Sequence, residues 1–263
     1  MPSPVRAAAR ALVACAVAFA LSGCGSGIFG RQYEYEEDVT LSLDGSATVV
    51  VNASIASLVA LRGLDLSLDP AVRFDRDRET LRAAYQSPAT RVTVRRPWRR
   101  AGRRFVQMRV QADDIRKLSL VGPFAWSRYD LVEKDGNHVF SQTVGASAFR
   151  PGTLPNVGWN GSEVVAFRLH LPSRIIDHNS RTLETDVPEE VQRGNILRWE
   201  QHLSDRLDGR PVRIEVRMES QSILYRTLWL FAGAFTAAIA LIALVLWWTV
   251  RRGAKESDAT MSP

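Results

Sequence analysis

Cysteine is nearly absent from this chain of 263 residues: the two present, Cys15 and Cys24, both stand near the N-terminus. Whatever folds beyond them has no disulfide, no thiol nucleophile and no thiolate metal site. Histidine is scarce too. His138, His170, His178 and His202 form no H-E-x-x-H arrangement, and no aspartate–histidine cluster has metal-ligand spacing. His170 and His202 take polar-face positions of expected strands, which suits hydrogen-bonded structural histidines better than ligands. A G-x-S-x-G elbow and a phosphate-cradling glycine loop are both missing, and the run Gly145-Ala146-Ser147 lacks the second glycine. Asp177-His178-Asn179-Ser180 is the most tempting polar group, yet it lies in an expected turn, where Asp, Asn and Ser cap backbone groups anyway. Glu189, Glu190, Glu200 and Asp205 come together only by tertiary accident. No catalytic residue, metal or cofactor is expected, and the chain reads as a non-enzyme.

Charge of one sign is present but not concentrated. The formal net charge of +6 comes mostly from arginine, spread among many acidic residues. That pattern argues against a dedicated nucleic-acid binder and permits contact with anionic headgroups.

One apolar run dominates what is there. Leu228–Val250 holds no charged residue, and about 23 helical residues reach ~34 Å, enough for a hydrocarbon core of roughly 30 Å. Trp229 marks one end and Trp247 and Trp248 the other, where aromatic rings favour the headgroup level. Arg251, Arg252 and Lys255 follow at once, so the positive-inside rule makes 251–263 a cytoplasmic tail and places everything before Tyr225 outside. Gly233 and Ala237 have the small-xxx-small spacing that lets helices approach closely, which points to a weak homodimer through that face.

The other end is also a membrane signal. Arg6 and Arg10 precede a short apolar core, Ala11–Leu21, and small residues follow, which outlines a signal peptide over 1–23. Leu21-Ser22-Gly23-Cys24 resembles the bacterial lipoprotein box, and that resemblance implies lipidation of Cys24 as the first mature residue. Cys15, inside the apolar core, is a poorer match. Residues 24–30 read as a short tether before a domain over 31–224.

That domain reads as strand-rich. Tyr33–Leu43 alternates with Tyr33, Tyr35, Val39, Leu41 and Leu43 on one face, Asp44-Gly45 turns, and Ala47–Val51 returns. Ser57–Leu64 and Asp75–Gln86 are helix candidates, the second opening with acids in its first turn, and Asp113–Leu120 is a shorter one. Lys134–Asn137 marks a hairpin between Phe124–Val132 and His138–Val144, and Ser147–Asn160 is a long loop. Glu163–Leu171, Asn195–His202 and Val212–Glu219 are further strands, with Pro172–Arg193 a polar stretch between the first two. No βαβ rhythm appears. The expected fold is α+β, a twisted antiparallel sheet of about six to nine strands with a few helices on one face.

Arg91–Val110 is the most distinctive hairpin, with Ala101-Gly102 near its tip. Between its apolar runs lie Arg95, Arg96, Trp98, Arg99, Arg100, Arg103 and Arg104. The plain reading is a solvated hairpin end. The functional one is a finger that touches anionic lipid, with Trp98 resting in the interface.

The layout as a whole resembles the mycobacterial LppM type of envelope lipoprotein. The shared features are the Leu21–Cys24 box, a strand-rich domain opening with YEYEEDVTLSLDGSATV, a C-terminal transmembrane helix and a basic tail. The resemblance implies an α+β domain around an apolar groove for an envelope lipid and brings no catalytic residue. Leu41, Val51, Phe167, Trp199 and Val216 are the residues such a groove would use, and equally those of any closed core. The expectation is a lipoprotein of the bacterial inner membrane that binds lipid or glycolipid. The alternative is a structural or assembly partner of another envelope membrane protein.

Overall fold

Alternation over Tyr33–Leu41 forms β1, and Ala47–Ser54 returns as β2 in antiparallel register, with Leu41 opposite Ala47 and Tyr35 opposite Ala53. The Asp44 carboxylate closes the turn by accepting from the Ser46 amide at 2.9 Å. A computed structural model describes residues 33–69, 71–149 and 157–260 of the chain, with side chains as far as 249. The signal peptide, Cys24 and the tether lie outside the described residues.

Helix α1, Ile55–Arg62, starts where the Ser54 hydroxyl accepts from the Ser57 amide at 3.0 Å, and Gly63 ends it at φ +67. Helix α2 is Phe74–Tyr85, with Asp75 and Asp77 in its first turn. Strands β3, Thr90–Val94, and β4, Trp98–Arg100, both pair with β5, Arg103–Ala112. The helix expected at Asp113–Leu120 is a 3₁₀ segment, Ile115–Leu120, capped by Asp114. Strands β6, Ser127–Lys134, and β7, Asn137–Val144, meet at Asp135 and Gly136, both at positive φ, as a two-residue I′-type turn requires. Then come β8, Val164–His170, β9, Ser173–His178, β10, Ile196–His202, the short helix α3, Leu203–Leu207, β11, Val212–Ser222, and α4, Ile223–Thr260.

The fold is α+β, and its strands divide into two sheets. Seven strands form one in the order β10-β8-β1-β2-β5-β3, with β4 also on β5, and four form the other in the order β6-β7-β11-β9. A single sheet would leave the inward faces of β7 and β11 without a partner. Instead Phe140, Ile214, Val216 and Met218 pack in one cluster with Val49, Val51, Phe167 and Leu169 of the larger sheet and with Leu58, Leu61, Leu81 and Tyr85 of the helices. One neighbouring pair is parallel. Arg168 bonds Glu36 and His170 bonds Asp38, while Glu163 and Glu34 share Arg103, so β8 runs beside β1 in the same sense.

One expectation is corrected here, and one open alternative is decided. The polar stretch Pro172–Arg193 contains β9, an edge strand with a register shift against β11, and its exposed residues carry too little apolar alternation to announce a strand. The expected groove residues Leu41, Val51, Phe167, Trp199 and Val216 are each at most 5% exposed and belong to the closed core. They line no open groove.

Candidate functional site

The arginine-rich hairpin is a built element. Val94 pairs with Met108 and Trp98 with Phe105, so three residues, Arg95–Pro97, oppose two on β5. That is a one-residue bulge in an edge strand, with Pro97 at a position that spares a ladder donor. The Arg95 amide donates to the Gln107 carbonyl at 2.9 Å and holds the bulge down. Trp98 stacks on buried Phe105 with ring centres 5.7 Å apart, and the Arg100 guanidinium lies 4.6 Å from the same ring. Ala101 and Gly102 close the tip, both at positive φ.

The structure sorts the seven sequence-marked residues into two groups. Arg95, Arg96, Trp98, Arg99 and Arg100 are exposed. Arg103 and Arg104 turn inward instead. Arg103 bridges Glu34 at 2.9 Å and Glu163 at 3.5 Å, and it donates to the Gly158 carbonyl. Arg104 pairs with buried Asp77 at 2.8 Å and also bonds the Ser67 carbonyl. As neighbours on β5 they point to opposite faces, and both faces are covered at this end of the strand: Arg103 meets Glu34 and Glu163 on one side and Arg104 meets Asp77 of α2 on the other, so both cations are occupied by the fold.

The place of the hairpin in the molecule matters. Arg103, Glu163 and Glu34 gather where β1 begins. The far end of β1 is where the chain departs. His170 reaches Asp38 there, and two residues later the Pro172 carbonyl accepts from the Ile223 amide, the first of α4, at 3.0 Å. The chain therefore joins the domain at one end of the strands, beside the hairpin, and leaves it at the other.

Between the sheets lies a polar cluster that sequence reasoning passed over. Glu37 is fully buried and accepts from Tyr35 at 2.9 Å, Arg62 at 3.0 Å, Tyr129 at 2.8 Å and Gln142 at 2.9 Å. These donors come from β1, α1, β6 and β7, so one carboxylate ties the two sheets and a helix together. Arg62 lies 3.3 Å from the Trp126 ring centre, and Arg206 lies 5.1 Å from it. Burial works against the Arg62 charge, but Tyr35 and Glu37 outweigh it and hold the guanidinium above its ordinary value. Burial, with Arg62 nearby, pulls Arg206 down to about 10. Burial likewise raises the Tyr35 and Tyr129 hydroxyls well above their usual range. A signal was there: Glu37 interrupts the apolar face that Tyr35, Val39 and Leu41 form.

The tempting group Asp177–Ser180 proves to be mixed. Asn179 is structural, since its carbonyl oxygen accepts from Trp199 and the Glu215 amide and its amide donates to the Arg213 carbonyl, each at 2.9 Å. Ser180 bonds the Arg198 carbonyl. Asp177 and His178, however, line a hollow of about 360 Å³ with Lys134, Glu215 and Arg217. No group of His, Cys, Asp and Glu among the described residues has metal-site geometry.

Helix α4 continues directly from β11. The Ser222 hydroxyl accepts from the Tyr225 amide at 3.1 Å, and Arg226 pairs with Glu219 at 2.7 Å. Ile223–Thr249 is long and apolar enough to cross a membrane, and none of its most apolar window is buried in the fold, unlike a core helix. The helix runs on through Arg251 and Arg252 to Thr260.

No family model matches the chain, and no curated protein does. A solved structure is similar. It is the NMR structure of the Mycobacterium tuberculosis LppM folded domain, at a TM-score of 0.36 and 10% identity, covering 74% of this chain and 94% of that one. The likeness is weak, and no residue role comes across with it.

Proposed function

We propose that this chain is a non-catalytic envelope lipoprotein, anchored at Cys24 and by α4, whose exported domain binds anionic lipid or glycolipid headgroups at its surface. The observation that carries the reading is the hairpin. Four arginines and Trp98 are exposed together on a bulged edge strand braced by Phe105, while the neighbouring Arg103 and Arg104 are spent inside. Charged edge strands also deter strand-to-strand aggregation, which needs no lipid. Trp98 separates the two ideas, because an amphipathic ring beside cations suits the headgroup layer. The closed core favours contact with headgroups over uptake of an acyl chain.

The hollow beside Lys134 and Arg217 favours a second reading, an assembly partner, because its charges converge without an ion pair among the described residues. Native mass spectrometry of the full chain from its own membranes separates the two. Retained anionic lipid supports the first reading, and a stoichiometric protein without lipid supports the second.

The topology of the proposal is inner membrane, domain outside, tail inside. Protease added to spheroplasts is expected to digest the domain and to spare a C-terminal tag. A tag cleaved from outside reverses the orientation. We also propose a weak dimer contact at Gly233 and Ala237. An added side chain at Gly233 meets nothing within 4 Å in the single chain, so Gly233→Ile is expected to abolish the dimer without harming the monomer. A dimer that survives it assembles through another face.

A further inference from the structure

The hollow beside Lys134 and Arg217 is opened by a β-bulge. Arg217 on β11 pairs with Asp177 on β9, but the next residue along β11, Met218, pairs with Ile175. One step on β11 thus answers two on β9, and Ile176 is the extra residue, left exposed. Side chains directly opposed across an antiparallel pair have Cβ atoms about 5 Å apart, and opposite charges there attract one another. The bulge bends the edge strand at this point, and Arg217 and Asp177 form no ion pair.

Charges of both signs border the hollow, Lys134 and Arg217 on one hand and Asp135, Asp177 and Glu215 on the other. They come from the end of β6, its turn, β9 and β11, and none joins an ion pair among the described residues. Elsewhere exposed opposites do close, Arg91 on Asp113 at 3.4 Å and Arg128 on Asp130 at 3.3 Å. The frame around the hollow is nevertheless fixed. The Asp177 carboxylate accepts from the His178 amide at 2.9 Å, and the Asn179 carbonyl oxygen holds the Glu215 amide at 2.9 Å. Half-buried Val139, in register with Arg217, adds an apolar patch to the lining.

We propose that this hollow binds a small zwitterion, a molecule that carries an ammonium and a phosphate or carboxylate a few bonds apart. Lys134 and Arg217 take the anionic group, and Asp135, Asp177 and Glu215 take the ammonium. A ligand of one sign meets repulsion from part of this lining, and an uncharged one leaves every charge without a partner. A dipolar ligand satisfies both signs at once. The volume of about 360 Å³ has room for a molecule of this kind with about ten non-hydrogen atoms. The site lies on the smaller sheet, apart from the arginine hairpin of the larger one, and goes beyond the contact proposed there.

The test is calorimetric titration of the full chain in neutral detergent micelles with two zwitterions, glycerophosphoethanolamine and alanine. Glycerophosphate and ethylamine serve as the single-charge halves. At least one zwitterion is expected to bind about tenfold tighter than either half, because each half leaves one sign of the lining unmatched. Tighter binding of glycerophosphoethanolamine supports a lipid headgroup as the source, and tighter binding of alanine supports a free amino acid. Arg217→Gln and Asp177→Asn are each expected to weaken that binding about tenfold. Both side chains are exposed, so the unfolding midpoint should stay where it is. Lys134→Gln and Asp135→Asn repeat the test away from the bulge if the first pair disturbs the edge strand. Binding of neither zwitterion, equal binding of the halves, or variants that bind like the parent would overturn the site. So would a protein that copurifies with the chain and is lost in both variants while no zwitterion binds, since the hollow would then belong to that partner.

Discussion

Glu37→Leu is expected to lower the unfolding free energy by about 3–5 kcal/mol, the usual cost of stranding a buried counter-charge. Four donors lose their acceptor at once, and Arg62 is left as an unpaired cation with a fully buried side chain. In a domain stable by roughly 5–15 kcal/mol, that loss is close to the whole margin. Adding Arg62→Leu is expected to recover part of it, because an apolar pair of similar volume carries no stranded charge. Urea unfolding of residues 31–224 measures both variants. The core cluster holds no residue beyond Met218, so this piece keeps every core contact. A single-variant loss below about 1 kcal/mol would mean the cluster is better hydrated than its burial implies.

The second large effect concerns the hairpin. Changing Arg95, Arg96, Arg99 and Arg100 together to glutamine is expected to weaken binding to anionic vesicles by on the order of 10³-fold, taking about 1 kcal/mol for each arginine near the surface. Stability should barely move, since these side chains are exposed. Arg104→Gln should do the opposite. It strands buried Asp77 and destabilises the fold while vesicle binding of the folded fraction is unchanged. Equal effects of the two changes on binding would dissolve the division between outward and inward arginines.

Much of the fold was legible because its elements carry local signals. Asp135-Gly136 and Ala101-Gly102 marked their turns, the acids of its first turn marked the start of α2, and Val212–Glu219 announced β11. The division into two sheets was not legible, since period-two alternation says which face is buried and not which sheet buries it. Strand β9 was missed because Arg174, Ile176 and Asp177 are exposed on an edge. At the candidate site, the arginines were visible as a run, but both faces of β5 are covered where Arg103 and Arg104 stand, and each meets carboxylates that lie 27 to 69 residues away in sequence. Long-range pairing of that kind leaves no local trace. Glu37 did leave one, as an acid in phase with apolar neighbours, although its partners Tyr129 and Gln142 lie 92 and 105 residues away.

Surface contact with anionic lipid is the central claim, and cosedimentation of the 31–224 domain with vesicles tests it most directly. The domain is expected to bind vesicles that carry an anionic lipid, to leave neutral vesicles in solution, and to be released as salt shortens the Debye length. Equal binding to both kinds of vesicle, or binding to neither at low salt, would contradict the account.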